Sequence, residues 1–291
     1  MNLVAGLGLA AAAGLAYSAG YEVRAFTLRE VTVPVLPAGA DPIRVLHVSD
    51  IHMTPSQRKK AAWLKSLANT RPDFVIATGD FLAHRKAVPA VLDALAPLRE
   101  VLGAFVFGSN DYYAPSAKNP ARYLFKDDGT RIHGDELDWP TLRDALTNSG
   151  WANLTHTRAQ FEIGGVRTEL RGVDDPHLER DDYRLVAGSP AEGTQLAIGV
   201  AHAPYRRVLS AMANDRMDLI FAGHTHGGQL CIPGIGALVT NCDLDRRLAK
   251  GLHQHDGAWV HVSAGCGTNP FTPVRFACRP EATLLTLTAR S

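Results

Sequence analysis

Short apolar runs in this sequence end repeatedly in aspartate, asparagine or histidine. The residues concerned are Asp50, His52, Asp80, Asn110, His202, His224 and His226. A single polar residue after a strand usually caps a helix or forms a turn. Seven such residues, each after an apolar run, indicate instead that they share one site. Carboxylate and amide oxygens combined with imidazole nitrogens suit Mn, Fe or Zn better than Ca or a structural zinc. The residue types therefore predict a catalytic metal centre.

The elements that must position these residues are short buried strands that alternate with helices. Strand-like runs cover 43–49, 74–79, 104–108, 195–201 and 219–223, and helical patterns cover 56–70, 87–102 and 205–214. Such alternation predicts an α/β layered fold, in which ligands bind beyond the carboxyl ends of the strands. Every candidate ligand follows such an end. Residues 162–173 add a hairpin that turns on Gly164 and Gly165.

The composition is that of an ordinary globular protein. The chain has 291 residues, of which 46% are hydrophobic and 20% charged, so it can bury a substantial core. Its formal net charge of +1 gives no general electrostatic reason to expect a nucleic-acid partner. The four cysteines are scattered without a CxxC pair, which favours small buried thiols over a metal or redox motif.

The N-terminus predicts association with a membrane. Residues 3–21 carry no charge and are long enough to cross a bilayer, which takes about 20 apolar residues. Arg24 and Arg29 follow at once and favour a cytoplasmic location for the rest of the chain. We expect an anchor here rather than a cleaved signal or a packed helix. The three prolines of 33–42 indicate a linker, which makes 1–41 an anchor with its linker and 42–291 the catalytic domain.

Several motifs resemble, in order, those of the calcineurin-like metallophosphoesterases. They are DIH (50–52), GD (79–80), the Asn of SND (109–111), AHAP (201–204) and GHTHGGQ (223–229), and the resemblance covers about 43–288. GHTHGGQLCIPG (223–234) and RPEATLLTL (279–287) look closest to a membrane-associated branch that includes phosphodiesterases and a UDP-diacylglucosamine pyrophosphatase. The resemblance implies a four-layer fold, with two mixed β-sheets sandwiched between helices.

The resemblance also implies two divalent metal ions. One would be held by Asp50, His52, Asp80 and His226, and the other by Asp80, Asn110, His202 and His224. Asp80 would bridge the ions, because its carboxylate has two oxygens. Two such ions can share a hydroxide nucleophile and bind the oxygens of a phosphate. We expect catalysis to depend on Asp80, Asn110, Asp111 and His202.

The stretch FGSNDYY (107–113) departs from the family pattern, which is GNHD. Alignment from the preceding strand places Asn110 at the metal-binding Asn and deletes the His; alignment from DYY places Ser109 there. We favour the first alignment, because strand length fixes where the ligand emerges and an amide oxygen is the expected donor. Either way the histidine that protonates the leaving group is missing. The candidate replacements are Asp111, Tyr112, His84 and His133.

These features together predict a hydrolase of phosphoester or pyrophosphate bonds, acting on a phosphorylated small molecule or a lipid-linked substrate. The long polar stretch 114–138, with Arg122, Lys126 and Arg131, is predicted to cap the site. Two alternatives stay open. The missing histidine favours a binding or scaffold protein that kept the fold and lost the chemistry. A soluble phosphomonoesterase or nuclease fits the motifs but neither the N-terminal segment nor the neutral charge.

Overall fold

A computed structural model describes residues 12–116 and 134–290. The strands are β1 (Thr27–Leu36), β2 (Ile43–Val48), β3 (Phe74–Ala77), β4 (Gly103–Phe105), β5 (Ala152–Asn153), β6 (Thr157–Ile163), β7 (Val166–Gly172), β8 (Leu196–Val200), β9 (Leu219–Ala222), β10 (Cys231–Ile232), β11 (Gly236–Ala237), β12 (Gly251–His255), β13 (Ala258–Val262) and β14 (Glu281–Ala289). The α-helices are α1 (Arg58–Ser66), α2 (Val88–Ala94), α3 (Ser109–Tyr112), α4 (Trp139–Asn148) and α5 (Arg206–Asn214).

The strands form two large mixed sheets and one small hairpin. The first sheet has the order β1-β14-β2-β3-β4-β5, and the second has the order β12-β13-β9-β8-β7-β6. Within them, β2 to β5 are parallel, and so are β7, β8, β9 and β13. The hairpin pairs β10 with β11. The parallel order brings the carboxyl ends of the central strands of each sheet to one edge.

Alternation along the strands builds a four-layer sandwich. In β3, Phe74 and Ile76 pack between the two sheets, whereas Val75 and Ala77 face the helices outside the first sheet. In β9, Ile220 likewise packs beneath α5 while its strand neighbours face the first sheet. Because successive side chains of a strand point to opposite faces, every central strand is buried on both sides. The predicted four-layer fold with two mixed sheets between helices is confirmed.

The N-terminal region joins the domain earlier than the sequence indicated. Residues 33–36 were predicted to lie in a linker, but they belong to β1, which pairs in parallel with β14. β1 is an edge strand, so Pro34 can occupy it without leaving a ladder hydrogen bond unmade. Farther upstream, the buried Glu22 accepts a hydrogen bond from the backbone N–H of Cys278 at 2.6 Å. The predicted boundary at residue 42 thus falls after a strand that belongs to the first sheet.

Residues 12–16 are helical and continue into one wide turn, Tyr17–Tyr21, and one tight turn, Glu22–Arg24. Within 12–116 and 134–290, no helix is both long enough and apolar enough to cross a bilayer. The first part of the predicted anchor, residues 1–11, lies outside the described residues.

Candidate metal centre

The loops after five central strands converge at one edge of the sandwich. The candidate ligands follow β2 (Asp50 and His52), β3 (Asp80), β4 (Asn110), β8 (His202) and β9 (His224 and His226). Hydrogen bonds between backbone and side chain tie the loops of the two sheets together, because the backbone N–H of His224 donates to both carboxylate oxygens of Asp50, at 3.1 and 3.0 Å. The sequence-based expectation that these strand ends meet is correct.

Five of the candidate ligands have a backbone conformation that residues other than glycine rarely adopt. They are Asp50 (φ 50°), His52 (φ 45°), Asp80 (φ 54°), His224 (φ 67°) and His226 (φ 50°). Left-handed backbone in a non-glycine residue costs about 1 kcal/mol or more and persists where the surroundings enforce it. Strain at this many neighbouring positions points to a functional reason for aiming these side chains inward.

The first group of candidate ligands is compact and almost entirely buried. One ligand atom from each of Asp50, His52, Asp80 and His226 lies within 4.8 Å of all the others. The Nε2 atoms of His52 and His226 are 3.1 Å apart, and the Nε2 of His52 is 3.4 Å from Oδ2 of Asp80. Burial lowers the pKa of His52 to about 4 and holds the pKa of His226 well below its usual value. Both rings are therefore neutral near pH 7, which is the form that binds a metal.

The second group surrounds the other side of Asp80. Asn110 donates to this carboxylate twice, from its backbone N–H to Oδ1 and from its side-chain amide to Oδ2, both at 2.7 Å. Nε2 of His202 lies 3.6 Å from Oδ1 of Asp80, and the rings of His202 and His224 meet edge to face with centroids 5.2 Å apart. Asp80 is thus the residue that both groups share.

Backbone carbonyls fix the orientation of three imidazoles. The carbonyl oxygens of Thr78 and Gly267 lie 2.6 Å from Nδ1 of His202 and 3.1 Å from Nδ1 of His226, respectively. The carbonyl oxygen of Asn241 lies 3.3 Å from Nε2 of His224. A ring that donates from one nitrogen presents the lone pair of the other, so these contacts prepare Nε2 of His202 and Nδ1 of His224 as ligands. The sequence did not identify these partners.

Buried polar atoms and close glycines show that the site fits a cation. Nε2 of His202 is buried with no hydrogen-bond partner in the described part of the chain. Burial raises the pKa of the Asp50 carboxyl to about 6, so a nearby positive charge would favour its ionised form. A Cβ on Gly108 would come within 2.4 Å of Oδ1 of Asp80, and one on Gly223 within 2.6 Å of Oδ2 of Asp50. The mixed oxygen and nitrogen donors suit a transition metal, so the residues present fit divalent ions.

His202 also gives the site its charge balance. Burial acts to lower the pKa of this ring, but the carboxylates of Asp80, Asp175 and Asp50 raise it to about 9. The three carboxylates thus favour a positive charge between Nε2 of His202 and Asp80. A proton on His202 can supply that charge in the isolated protein, and a divalent cation can replace the proton. Metal uptake at this position should therefore release a proton.

Asp111 does not line the cavity, where an acid that protonates a leaving group would have to lie. Its buried carboxylate accepts four backbone hydrogen bonds, from the N–H groups of Gly108, Asp80, Phe81 and Leu82, at 2.7–3.2 Å. It therefore holds the loops after β3 and β4 together. These contacts give Asp111 a positioning role, and its catalytic role stays a prediction.

Tyr112 and His84, two of the other candidate acids, are not on the cavity wall either. The hydroxyl of Tyr112 is buried and donates to Asp174 at 2.6 Å, and His84 is exposed, where its Nδ1 accepts from the N–H of Lys86. His133 lies outside the described residues, as do Arg122, Lys126 and Arg131 of the predicted cap. Residues 114–116 do line the cavity.

The cavity above the candidate ligands has a volume of about 370 Å³. Its polar floor includes Ser109 and Asn110, and its walls include Leu178, Leu230, Leu238, Val239 and Val274. A phosphate would meet the polar floor while an apolar group extends along the walls.

His177 is a cavity residue that the sequence analysis missed. Its ring centroid is 4.3 Å from that of His224, and its Nδ1 is 3.2 Å from the hydroxyl of Tyr205. Asp175 caps the turn Pro176–Leu178 by accepting from the N–H of His177 at 2.9 Å. The sequence does carry a signal for His177, because Asp175 and His177 follow β7 as other Asp and His residues follow other strands. The hairpin pattern of 162–173 does not reveal it.

Comparison with known proteins identifies a family and several relatives. The family described as calcineurin-like phosphoesterase matches residues 43–228. The chain is 27% identical to the uncharacterized metallophosphoesterase YkoQ of Bacillus subtilis, across 83% of this chain and 82% of that protein. It is 26% identical to phosphodiesterase YaeI of Escherichia coli, across 96% of this chain and 94% of that protein. It is 28% identical to a bovine transmembrane protein with metallophosphoesterase domain, across 91% of this chain and 57% of that protein.

Proposed function

Because the chain belongs to the calcineurin-like phosphoesterase family, we propose that it hydrolyses phosphoester or pyrophosphate bonds with two divalent metal ions. The observation that carries the proposal is the buried group Asp50, His52, Asp80 and His226, whose ligand atoms lie within 4.8 Å of one another. A purely structural role gives no reason to gather two carboxylates and two neutral imidazoles at the floor of a cavity.

The residues of the site divide between two ions that share Asp80. The first ion would bind Asp50, His52, Asp80 and His226, and the second Asp80, Asn110, His202 and His224. When bound, such ions lower the pKa of a coordinated water and neutralise the charge of a phosphate. Asn110 would supply the amide ligand of the second ion. Mn, Fe and Zn all suit this donor set.

The chain's own residues orient the substrate and exclude water. His177 lines the cavity beside His224, where its ring can donate a hydrogen bond to a phosphate oxygen that extends beyond the ligands, and the hydroxyl of Tyr205 lies 3.2 Å from Nδ1 of His177. Leu178, Leu230 and Leu238 make the adjoining wall apolar. A group held between a polar floor and an apolar wall reacts from a restricted set of orientations, which lowers the entropic cost of attack.

The substrate class that suits this cavity is a phosphodiester or pyrophosphate with an apolar group, such as a lipid-linked one. The apolar wall residues and the name of the relative YaeI, a phosphodiesterase, support this class. The uncharged residues 3–21 and the bovine relative named as a transmembrane protein support membrane association. Arg24 and Arg29 favour the cytoplasmic face for the catalytic domain.

A binding or scaffold protein is the second candidate, and one observation favours it. FGSNDYY lacks the histidine of the family pattern, and Asp111, Tyr112 and His84 do not line the cavity. A protein of this kind would bind metal and a phosphorylated ligand without turnover.

The test is metal analysis of the purified protein combined with a panel of generic diesters, monoesters and pyrophosphates. We expect about two divalent ions per chain and turnover of diesters or pyrophosphates in the metal-loaded protein. Metal binding without turnover of any member of the panel would favour the scaffold. Absence of bound metal under conditions that load other metallophosphoesterases would contradict both.

A further inference from the structure

The exposed large apolar side chains of this protein are concentrated beside the cavity mouth. Eleven such side chains are exposed among the described residues, and nine of them lie in three short segments. These nine, which we call the apolar rim, are Leu15, Tyr17, Tyr21, Leu230, Ile232, Ile235, Leu238, Phe271 and Phe276. The other two, Leu102 and Leu185, lie elsewhere in the chain. Concentrated exposure of this kind marks an interaction surface.

Direct contacts join the three segments of the apolar rim. The ring of Tyr17 meets that of Phe276 edge to face, with centroids 6.3 Å apart, and the N–H of Arg275 donates to the carbonyl of Ser18. Phe276 forms a parallel bridge with Leu230, and the N–H of Cys231 donates to its carbonyl at 2.9 Å. The N-terminal helical turns, the β10–β11 hairpin and the loop 271–276 therefore form one continuous surface.

The apolar rim is also continuous with the cavity. Leu230 and Leu238 are 40% and 42% exposed, yet both line the cavity that holds the candidate ligands. From these two residues the apolar surface extends outward to Ile235 at the tip of the hairpin, which is 72% exposed. An apolar group bound in the cavity could thus pass onto the rim without crossing a charged surface.

The chemistry around the rim matches a lipid surface. No Asp, Glu, Lys, Arg or His occurs in 227–242 or 262–274, nor in the run 3–21 that reaches the rim at Tyr17. Arginines stand at its margin: Arg24 donates to the carbonyls of Ala19 and Gly20, and the exposed Arg246 donates to the carbonyl of Leu238 at 3.1 Å. An uncharged surface with aromatic rings and flanking arginines is the pattern of a bilayer-docking face, because the arginines meet anionic headgroups.

We propose that the apolar rim docks on the surface of a lipid bilayer and places the mouth of the cavity against the headgroups. This deepens the proposed function and rests on it, since it explains how a lipid-linked phosphodiester or pyrophosphate reaches the candidate ligands. The bilayer is favoured over a second copy of the chain because the uncharged run 3–21 leads directly into the rim.

The test must measure whether the β10–β11 hairpin itself enters the bilayer, because residues 3–21 would hold the chain on vesicles whether or not the apolar rim docks. We would place a Trp at the hairpin tip (Ile235→Trp) in the full-length, metal-loaded protein and add vesicles of phosphatidylcholine and phosphatidylglycerol with brominated acyl chains. The matched control is Leu102→Trp, because Leu102 is 49% exposed and directly precedes β4, at the opposite end of that strand from the site. Bromine quenches only tryptophans that enter the bilayer.

We expect quenching of most of the fluorescence added by Ile235→Trp and none of that added by Leu102→Trp. Equal behaviour of the two variants would overturn the proposal, because it would mean that the N-terminal run alone holds the protein or that residues 1–11 cover the rim. Sedimentation velocity without vesicles gives a second check: a dimer that Ile235→Ser converts to monomer would assign the rim to a second copy instead.

A kinetic measurement separates this proposal from the proposed function. Ile235→Ser combined with Phe271→Ser should lower the hydrolysis of a phosphodiester lipid in vesicles roughly tenfold. The same variant should leave hydrolysis of a soluble aryl diester unchanged, as should the control Leu102→Ser with both substrates. If Ile235→Trp is quenched but no diester is cleaved, the proposed function fails and the docking surface stands. If soluble diesters are cleaved but Ile235→Trp is not quenched, the docking surface fails and the proposed function stands.

Discussion

Asn110 binds both oxygens of the Asp80 carboxylate, one through its backbone N–H and the other through its side-chain amide, each at 2.7 Å. The loop after β4 therefore places an amide directly on the carboxylate that both candidate ligand groups share. This contact is consistent with the alignment of FGSNDYY that places Asn110 at the metal-binding position, which stays a prediction. Asn110 reaches Asp80, whereas Ser109 Oγ lies 3.5 Å from the side-chain amide of Asn110.

The first prediction concerns the shared carboxylate. Asp80→Asn should lower the metal content and remove nearly all activity, because a neutral amide cannot bridge two cations with negative charge. Metal content by elemental analysis and turnover of an aryl diester are the measurements. Two bound metals with near-normal turnover in this variant would contradict the dinuclear site.

The second prediction compares the neighbours Asn110 and Ser109. Asn110→Ala should weaken binding at the second metal position roughly tenfold or more, by the usual effect of losing one contact to a charged group. Ser109→Ala is the matched control and should be mild. Metal titrations followed by calorimetry would rank the two, and the opposite ranking would show that Ser109 occupies the ligand position.

The third prediction tests the positioning role of Asp111. Asp111→Asn replaces one acceptor oxygen by an NH₂ group that faces backbone N–H donors, so it should lower the free energy of unfolding by roughly 2 kcal/mol or more. Denaturant unfolding would measure the loss. A variant that keeps full stability but loses turnover would restore the catalytic role that the sequence predicted.

The fourth prediction follows from the missing acid. A positioned general acid contributes about 10²–10⁴-fold by protonating a leaving group too basic to depart alone. Without one, rates should fall steeply as the pKa of the leaving group rises, so that aryl diesters and pyrophosphates are cleaved far better than alkyl monoesters. A series of substituted phenyl esters measures the slope. A flat dependence that becomes steep in His177→Gln would instead identify His177 as the replacement acid.

The fifth prediction concerns a buried histidine pair between the sheets. Nδ1 of His47 and Nδ1 of His261 are 2.8 Å apart, and burial lowers the pKa of His261 to about 3 and that of His47 well below its usual value. Both rings are neutral in the folded protein, whereas the unfolded chain takes up protons below about pH 6.5. Their contribution to stability is therefore complete above that pH and decreases as the pH falls toward 3.

Each such proton makes the free energy of unfolding fall by about 1.4 kcal/mol per pH unit in that window. His261→Gln removes one titrating ring, so its stability should depend less steeply on pH between about 6 and 4 than that of the parent protein. Denaturant unfolding at several pH values gives both slopes. Parallel slopes in the two proteins would contradict the neutral assignment of His261.

The sequence by itself determined the layered fold and the candidate ligands, because both depend on local patterns. Apolar runs of strand length marked β2, β3, β8 and β9, and the polar residues after them marked the edge where the loops meet. The hairpin at Gly164 and Gly165 was correct for the same reason, since both glycines have positive φ.

Only the tertiary structure decided the features that depend on pairing between distant segments. The three prolines of 33–42 indicate a linker, yet residues 33–36 belong to β1, and β14 near the other end of the chain supplies the one partner that an edge strand needs. Asp111 is a candidate acid by its position in the sequence, but in the structure its carboxylate accepts four backbone N–H groups from the loops after β3 and β4. The apolar rim likewise exists because β10, β11 and the loop 271–276 meet the N-terminal turns in space. Hydrogen bonds and burial of this kind are set by three-dimensional proximity, which no local pattern in the sequence records.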